Sequence, residues 1–259
     1  MDHAPRDLSR FSIRRQPDDT TCGPTCLQAV YSHYGLEVPF AEIDAAVPRI
    51  EGGGTLGVHL ATDALRRGFR VRVLTWNLEV FDPSWYALER GELVQRLRAR
   101  AAANEREKTS EACEAYAAFL EAGGRIEFTD LDAGVLRRFL RRGVPILTGL
   151  SATFLYRESR ELPDGRPDDV RGDPCGHFVV LTGYRTASRE VIVSDPLHPN
   201  PLATVHTYPV PTRRLVGAIF LGVMTYDANL VVVEPPPKKA SRSGRPPTDA
   251  NDRRHESAG

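Results

Sequence analysis

The sequence predicts a mixed helix-and-strand domain of the α+β class, and three observations predict it. Apolar residues recur at helical spacing through most of the chain before Gly143. Short β-branched runs crowd together after it, at Val144–Leu150, Gly176–Tyr184 and Val191–Pro196. Of the 259 residues 41% are hydrophobic, enough for the core of one large domain or two small ones.

The elements follow in order. Residues 1–15 read as a lead-in, with a strand expected at Phe11–Arg14. From Gln16 to Gly35 the sequence QPDDTTCGPTCLQAVYSHYG passes from a polar turn into a helix. Pro24 suits its first turn, Leu27, Val30, Tyr31 and Tyr34 keep helical spacing, and Gly35 stops it. Pro39 to Val47 predicts a short second helix. Gly52-Gly53-Gly54 predicts a loop, and without a Gly-Lys-Ser/Thr ending it is not a phosphate loop. Leu56 to Arg67 predicts a third helix, ended by Gly68, and Phe69–Trp76 alternates like a strand. His59 in that helix reads as a surface or packing residue.

Glu92 to Ala122 is the longest helical pattern, either one helix or two broken near Asn104–Ser110. Its charge density fits a solvated face, and Cys113 within it reads as structural. Arg125–Phe128 predicts a short strand. Asp130 or Asp132 can cap a helix running to Arg142. Val144–Leu150 then reads as a buried strand, and Ser159–Cys175 as a long polar loop of the kind that often serves as a lid. Two β-branched strands follow, with further strands expected at Ala218–Val223 and Leu230–Val233. The expected organisation is a lead-in at 1–15, one domain at 16–233 with a helical insertion at about 91–122, and a low-complexity, disordered tail at 234–259.

Composition narrows the function. Thirty-four basic residues balance thirty-four acidic ones, which removes the charge footprint of a general nucleic-acid binder. No long uninterrupted apolar run exists, so no membrane span is expected. The N-terminus lacks the apolar core of a secretory signal, so a cytoplasmic location is expected. In that setting the four cysteines, Cys22, Cys26, Cys113 and Cys175, are expected to stay reduced.

Cys22 falls at or just before a helix N-terminus. There the helix dipole and free backbone N–H groups favour a thiolate, the nucleophile that acyl transfer needs. Gln16, six residues upstream, can reach back so that its amide and the Cys22 N–H donate to a developing oxyanion. The plainer reading is a surface glutamine and a cysteine buried as a small hydrophobe. His177 opens a buried strand and so stands at a strand end, and Asp195 closes the next one. If those strands form a hairpin, the two meet near one edge, where a carboxylate holds an imidazole in its useful tautomer. Against this stand a satisfied histidine at a strand start and a turn-initiating role for Asp195 before Pro196. Asn200 is a substitute orienter, and His198 and His206 are weaker base candidates. A structural zinc on Cys22, Cys26, Cys175 and His177 is a different class of reading, though the spacing is not a common finger pattern. A non-catalytic binding module is a third. No cofactor is expected, and the expected partner is a peptide or protein substrate.

QPDDTTCGPTC, GHFVVLTGY and VIVSDP together resemble the cysteine peptidases of family 39, the papain-like enzymes of bacteriocin processing, and their stand-alone relatives. The likeness runs from about Gln16 to Val223 and includes GGGTLGVHLATDALRRGF. The separation of Cys22 from His177, about 150 residues, is of the size found in papain-type enzymes. The resemblance implies a papain-like fold with the cysteine helix packed on a small antiparallel sheet. It implies Cys22 as nucleophile, His177 as base, Asp195 as its orienter and Gln16 in the oxyanion hole. Hydrolysis of a peptide or amide bond is the expected reaction, with amide transfer chemically adjacent.

Overall fold

A computed structural model describes residues 7–50 and 53–236. Eight α-helices and seven strands are named among the described residues. The helices are α1 (Cys22–His33), α2 (Phe40–Ala46), α3 (Gly57–Arg66), α4 (Arg90–Ala103), α5 (Glu107–Glu121), α6 (Ala133–Leu140), α7 (Ala152–Tyr156) and α8 (Thr212–Leu221). The strands are β1 (Arg70–Thr75), β2 (Arg125–Glu127), β3 (Ile146–Ser151), β4 (Gly176–Arg185), β5 (Glu190–Ser194), β6 (Thr207–Pro211) and β7 (Asn229–Glu234).

The strands form a single sheet in the order β2-β1-β7-β3-β4-β5-β6. Only the β1–β2 pair is parallel, and every other neighbour is antiparallel. The α+β class is the one the sequence predicts, and α1 packs on β4. The sheet is larger than the expected small antiparallel one, because β7 joins β3 to β1 and so draws in the parallel pair.

Helices cover both faces, and the central strands alternate between two cores. One core takes Phe178 and Val180 of β4 and Val231 and Val233 of β7, packed on Leu27, Tyr31, Leu60, Leu97 and Phe119 of the N-terminal helices. The other takes Val179, Leu181, Leu230 and Val232, packed on Phe139, Leu155, Leu215 and Ile219. A strand buried on both faces needs apolar residues at every position, which is why GHFVVL and NLVVV read as continuous runs.

Several local expectations are corrected. Phe11–Arg14 is not a strand; Phe11 and Ile13 are anchored by burial in the first core instead. Ala218–Val223 is not a strand either. Leu215, Ala218 and Ile219 lie at helical spacing, and their stripe faces the second core as part of α8. The 92–122 pattern is two helices, α4 and α5, and Asp132 rather than Asp130 caps α6, accepting from Val135 N at 2.8 Å. Glu234 is the buried last residue of β7, held by Arg72 and by Arg142 Nη2 at 2.7 Å, so order runs past the expected start of the tail. The rest of that tail, from 237, lies outside the described residues, as does Gly52. Gly53 and Gly54 have φ of 89° and 77°, the left-handed region that the expected glycine loop needs.

Candidate active site

Register creates the site. Strand β4 starts at Gly176, but its first partner on β5 is the Val180–Ser194 pair. On the other side β3 stays paired out to Gly176. The stretch 176–179 therefore has one open edge, and Asp195 follows Ser194 directly into that notch. His177 stands in it, 7% exposed, and Asp195 is fully buried.

His177 Nε2 lies 2.8 Å from Asp195 Oδ1. Cys22 is close enough to the same imidazole to act on its titration. Burial acts to lower the pKa of His177, but the Asp195 charge and hydrogen bond, helped by Cys22, outweigh it and raise it to about 10. Since Nε2 faces the carboxylate, Nδ1 is the nitrogen left for the sulfur.

Asp195 is held by four hydrogen bonds to its carboxylate. Its Oδ1 also accepts from Leu197 N at 2.9 Å, and its Oδ2 accepts from the hydroxyls of Tyr156 at 2.6 Å and Tyr208 at 2.5 Å. Burial acts to raise its pKa, yet His177 and the two phenols hold it below the usual carboxylate value. Orienting a histidine and initiating a turn were competing readings of Asp195, and the one side chain does both. The two tyrosines carry no sequence signal: Tyr156 comes from α7, a helix the sequence reading does not contain, and Tyr208 from β6, an unpredicted strand.

Cys22 is the first residue of α1. Thr21, at the cap, makes no side-chain cap bond; its hydroxyl turns back to the Asp18 carbonyl at 3.0 Å. No cap oxygen therefore competes for the N–H groups that open the helix. Gly23 brings the helix against the sheet, since a Cβ there would meet Thr55 Cγ2 at 2.9 Å and a Phe178 ring carbon at 3.3 Å. One turn on, the Cys26 thiol donates to the Phe178 carbonyl at 3.2 Å and ties α1 to the residue after His177.

Gln16 is buried, and its backbone N–H donates to Pro196 O at 3.0 Å, which stitches the N-terminal segment to the Asp195 turn. Its Nε2 donates to Asp18 O at 2.8 Å, and its Oε1 has no hydrogen-bond partner. One Nε2 hydrogen is thereby spent and the second is not.

The substitutes lie elsewhere in their bonding. Asn200 closes its own turn with Leu202 and Ala203. His206 Nδ1 contacts Asp195 O at 2.7 Å, and its ring lies against that of His198, with centroids 4.4 Å apart. The zinc reading finds no ligand set: Cys26 is spent on Phe178, Cys175 Sγ points at Asp173 O at 3.9 Å, and among the described residues no group of three His, Cys, Asp or Glu is placed to hold a metal ion.

A model of the Peptidase_C39-like family matches residues 104–216, a span that contains His177 and Asp195 and leaves out Gln16 and Cys22. No curated protein matches the sequence. Among solved structures, the chain is similar to the peptidase domain of Streptococcus ComA, at 15% identity, 88% of this chain, all of that one and a TM-score of 0.42. It is similar to xylellain, a cysteine protease from Xylella fastidiosa, at 14% identity, 92% and 88% coverage and a TM-score of 0.41. It is also similar to a double glycine motif protease from an AMS/PCAT transporter, solved with its leader peptide, at 11% identity, 89% and 96% coverage and a TM-score of 0.42. Over residues 104–216 the chain resembles the Peptidase_C39-like family, the family to which its sequence motifs also point.

Proposed function

We propose that the protein is a cysteine peptidase-like hydrolase that opens a peptide or amide bond. The observation that carries this is a single imidazole bonded to Asp195 at 2.8 Å and close enough to Cys22, the first residue of a helix, to feel its influence. The family match supports the same chemistry.

In this reading His177 takes the proton of Cys22 and leaves a thiolate. The thiolate attacks the carbonyl carbon. The oxyanion is met by the Cys22 N–H and by the free Nε2 hydrogen of Gln16. The imidazolium then gives its proton to the leaving amine, and water, activated by the neutral ring, hydrolyses the acyl-enzyme. Asp195 fixes the ring throughout, itself fixed by Tyr156 and Tyr208.

The test is cleavage of a peptide library by the full chain, with Cys22→Ala as control. Products that appear with the wild type and vanish with Cys22→Ala support hydrolysis. Equal product from both, or none from either, rejects it in favour of a binding module. Transfer to an added amine without free acid would favour the amide-transferring alternative.

A further inference from the structure

Arg157, Arg213 and Arg214 line a cavity of about 460 Å³ together with Thr153, Phe154 and Pro211. Arginines of the 159–175 loop are paired: Arg166 holds Asp164 at 2.7 Å, and Arg171 holds Asp168 at 2.7 Å. Among the described residues no hydrogen bond or ion pair occupies the guanidinium of any of the three that line the cavity. Arg213 and Arg214 lie in the first turn of α8, which contains no acidic residue and has no side-chain cap. Cations there add to the positive end of the helix dipole instead of opposing it. Arg157 follows α7 with φ of 61°, a left-handed backbone unusual for arginine. The cavity is thus a concentration of positive charge that the protein itself leaves unneutralised.

The cavity also has a direction. Thr153 and Phe154 form its wall on one side and border a second hollow of about 370 Å³ on the other, where Pro174, Leu221 and Met224 make an apolar side and Glu158, Arg160 and Asp169 a charged one. Phe154 and Met224 are exposed there at 44% and 58%. The wall is bonded to the strand that begins the site: Thr153 Oγ1 accepts from Cys175 N at 2.9 Å, and Ala152 N donates to Cys175 O at 2.8 Å. Gly176 and His177 follow at once.

We infer that the arginine cavity binds a carboxylate-rich stretch of the peptide substrate, Asp or Glu side chains held by guanidinium forks, with an apolar neighbour seated beside Phe154 and Met224. This rests on the peptidase reading and names its substrate class. Guanidinium forks match carboxylates in a bidentate way, and the apolar side of the hollow alongside excludes a bare inorganic anion as the best-fitting ligand.

The experiment uses the full chain carrying Cys22→Ala, and follows the fluorescence anisotropy of a hexaglutamate peptide bearing a neutral dye. Saturable binding is expected for hexaglutamate and not for hexaglutamine. The triple variant Arg157→Gln, Arg213→Gln and Arg214→Gln should weaken it about tenfold or more, whereas Arg98→Gln, on α4, should not. All variants are checked for unchanged thermal unfolding. Equal affinity in the triple variant, no saturable binding, or displacement by inorganic phosphate as effective as by unlabelled hexaglutamate would each overturn the inference. Because the readout needs no bond cleavage, failure of the peptide arm and failure of the Cys22 chemistry are separately visible.

Discussion

Asp195 shows how a site is built residue by residue. A buried carboxylate without partners would be protonated or destabilising, but four donors converge on this one. Hydrogen bonds to a charged acceptor are worth about 1.5–3 kcal/mol each. Tyr156→Phe and Tyr208→Phe should each lower folding stability by about that much at neutral pH, measured by urea unfolding. Chain position could not reveal these phenols, because they reach Asp195 only through tertiary placement. Asp227 offers a contrast. It is buried between Gly57 N at 3.0 Å and Asn229 Nδ2 at 3.1 Å, and burial pushes its pKa up to about 7 despite both bonds. A group whose native pKa is raised stabilises fully below its unfolded value and loses that contribution as pH rises through the native one. Stability should therefore fall between about pH 4 and 7, by about 1.4 kcal/mol per pH unit. Asp227→Asn, which keeps an acceptor oxygen, should remove that fall in pH-dependent unfolding.

At the scale of elements, α1 matters because of where it begins. Gly23 lets its first turn lie against Thr55 and Phe178, and Thr55 is fixed by its own bond to Pro48 O at 2.7 Å. Gly23→Ala should cost about 1–3 kcal/mol by overpacking, and should slow Cys22 alkylation by moving the sulfur away from His177. The start of α1 was legible from Cys22, Pro24 and the spaced apolar residues. Strands β4 and β5 were legible for the same reason, since a local period marked them. α8 was not, because its short apolar run, Val216 to Val223, reads equally as strand or helix until a core is present to choose. β6 was missed because Pro209 and Pro211 argue against a strand, yet it is an edge strand, where proline is tolerated.

Across the whole molecule, the sheet is the frame that makes distant residues meet. Register between β3, β4 and β5 leaves the notch, α1 supplies sulfur from one face, and α7 supplies a phenol from the other. Three of the four candidate site residues, Cys22, His177 and Asp195, come together, His177 bonded to Asp195 and set close to Cys22, and Gln16 joins through the Pro196 carbonyl. The sequence could name those residues but not the shape of the notch, which depends on pairings between residues far apart. The end of β7, an inner strand of the same sheet, is clamped by Glu234, buried between Arg72 and Arg142. Arg72→Met would strand that carboxylate with its more exposed partner, and a stability loss of about 3 kcal/mol is expected in denaturant titration.

Activity and reactivity should also titrate together with His177. Its proton, retained up to a pH of about 10, is the one the leaving amine requires, so kcat/KM should fall as pH rises through that value. The most direct measurement is site-resolved alkylation by iodoacetamide near neutral pH, read by mass spectrometry in the wild type and in His177→Ala. Burial raises the pKa of Cys26 and Cys113, and burial with Glu161 pushes Cys175 up to about 12, so these three should stay as unreactive thiols. The account predicts that Cys22 is labelled first and that His177→Ala slows it about tenfold or more. Labelling of Cys22 no faster than of Cys175, or unaffected by loss of the imidazole, would contradict it.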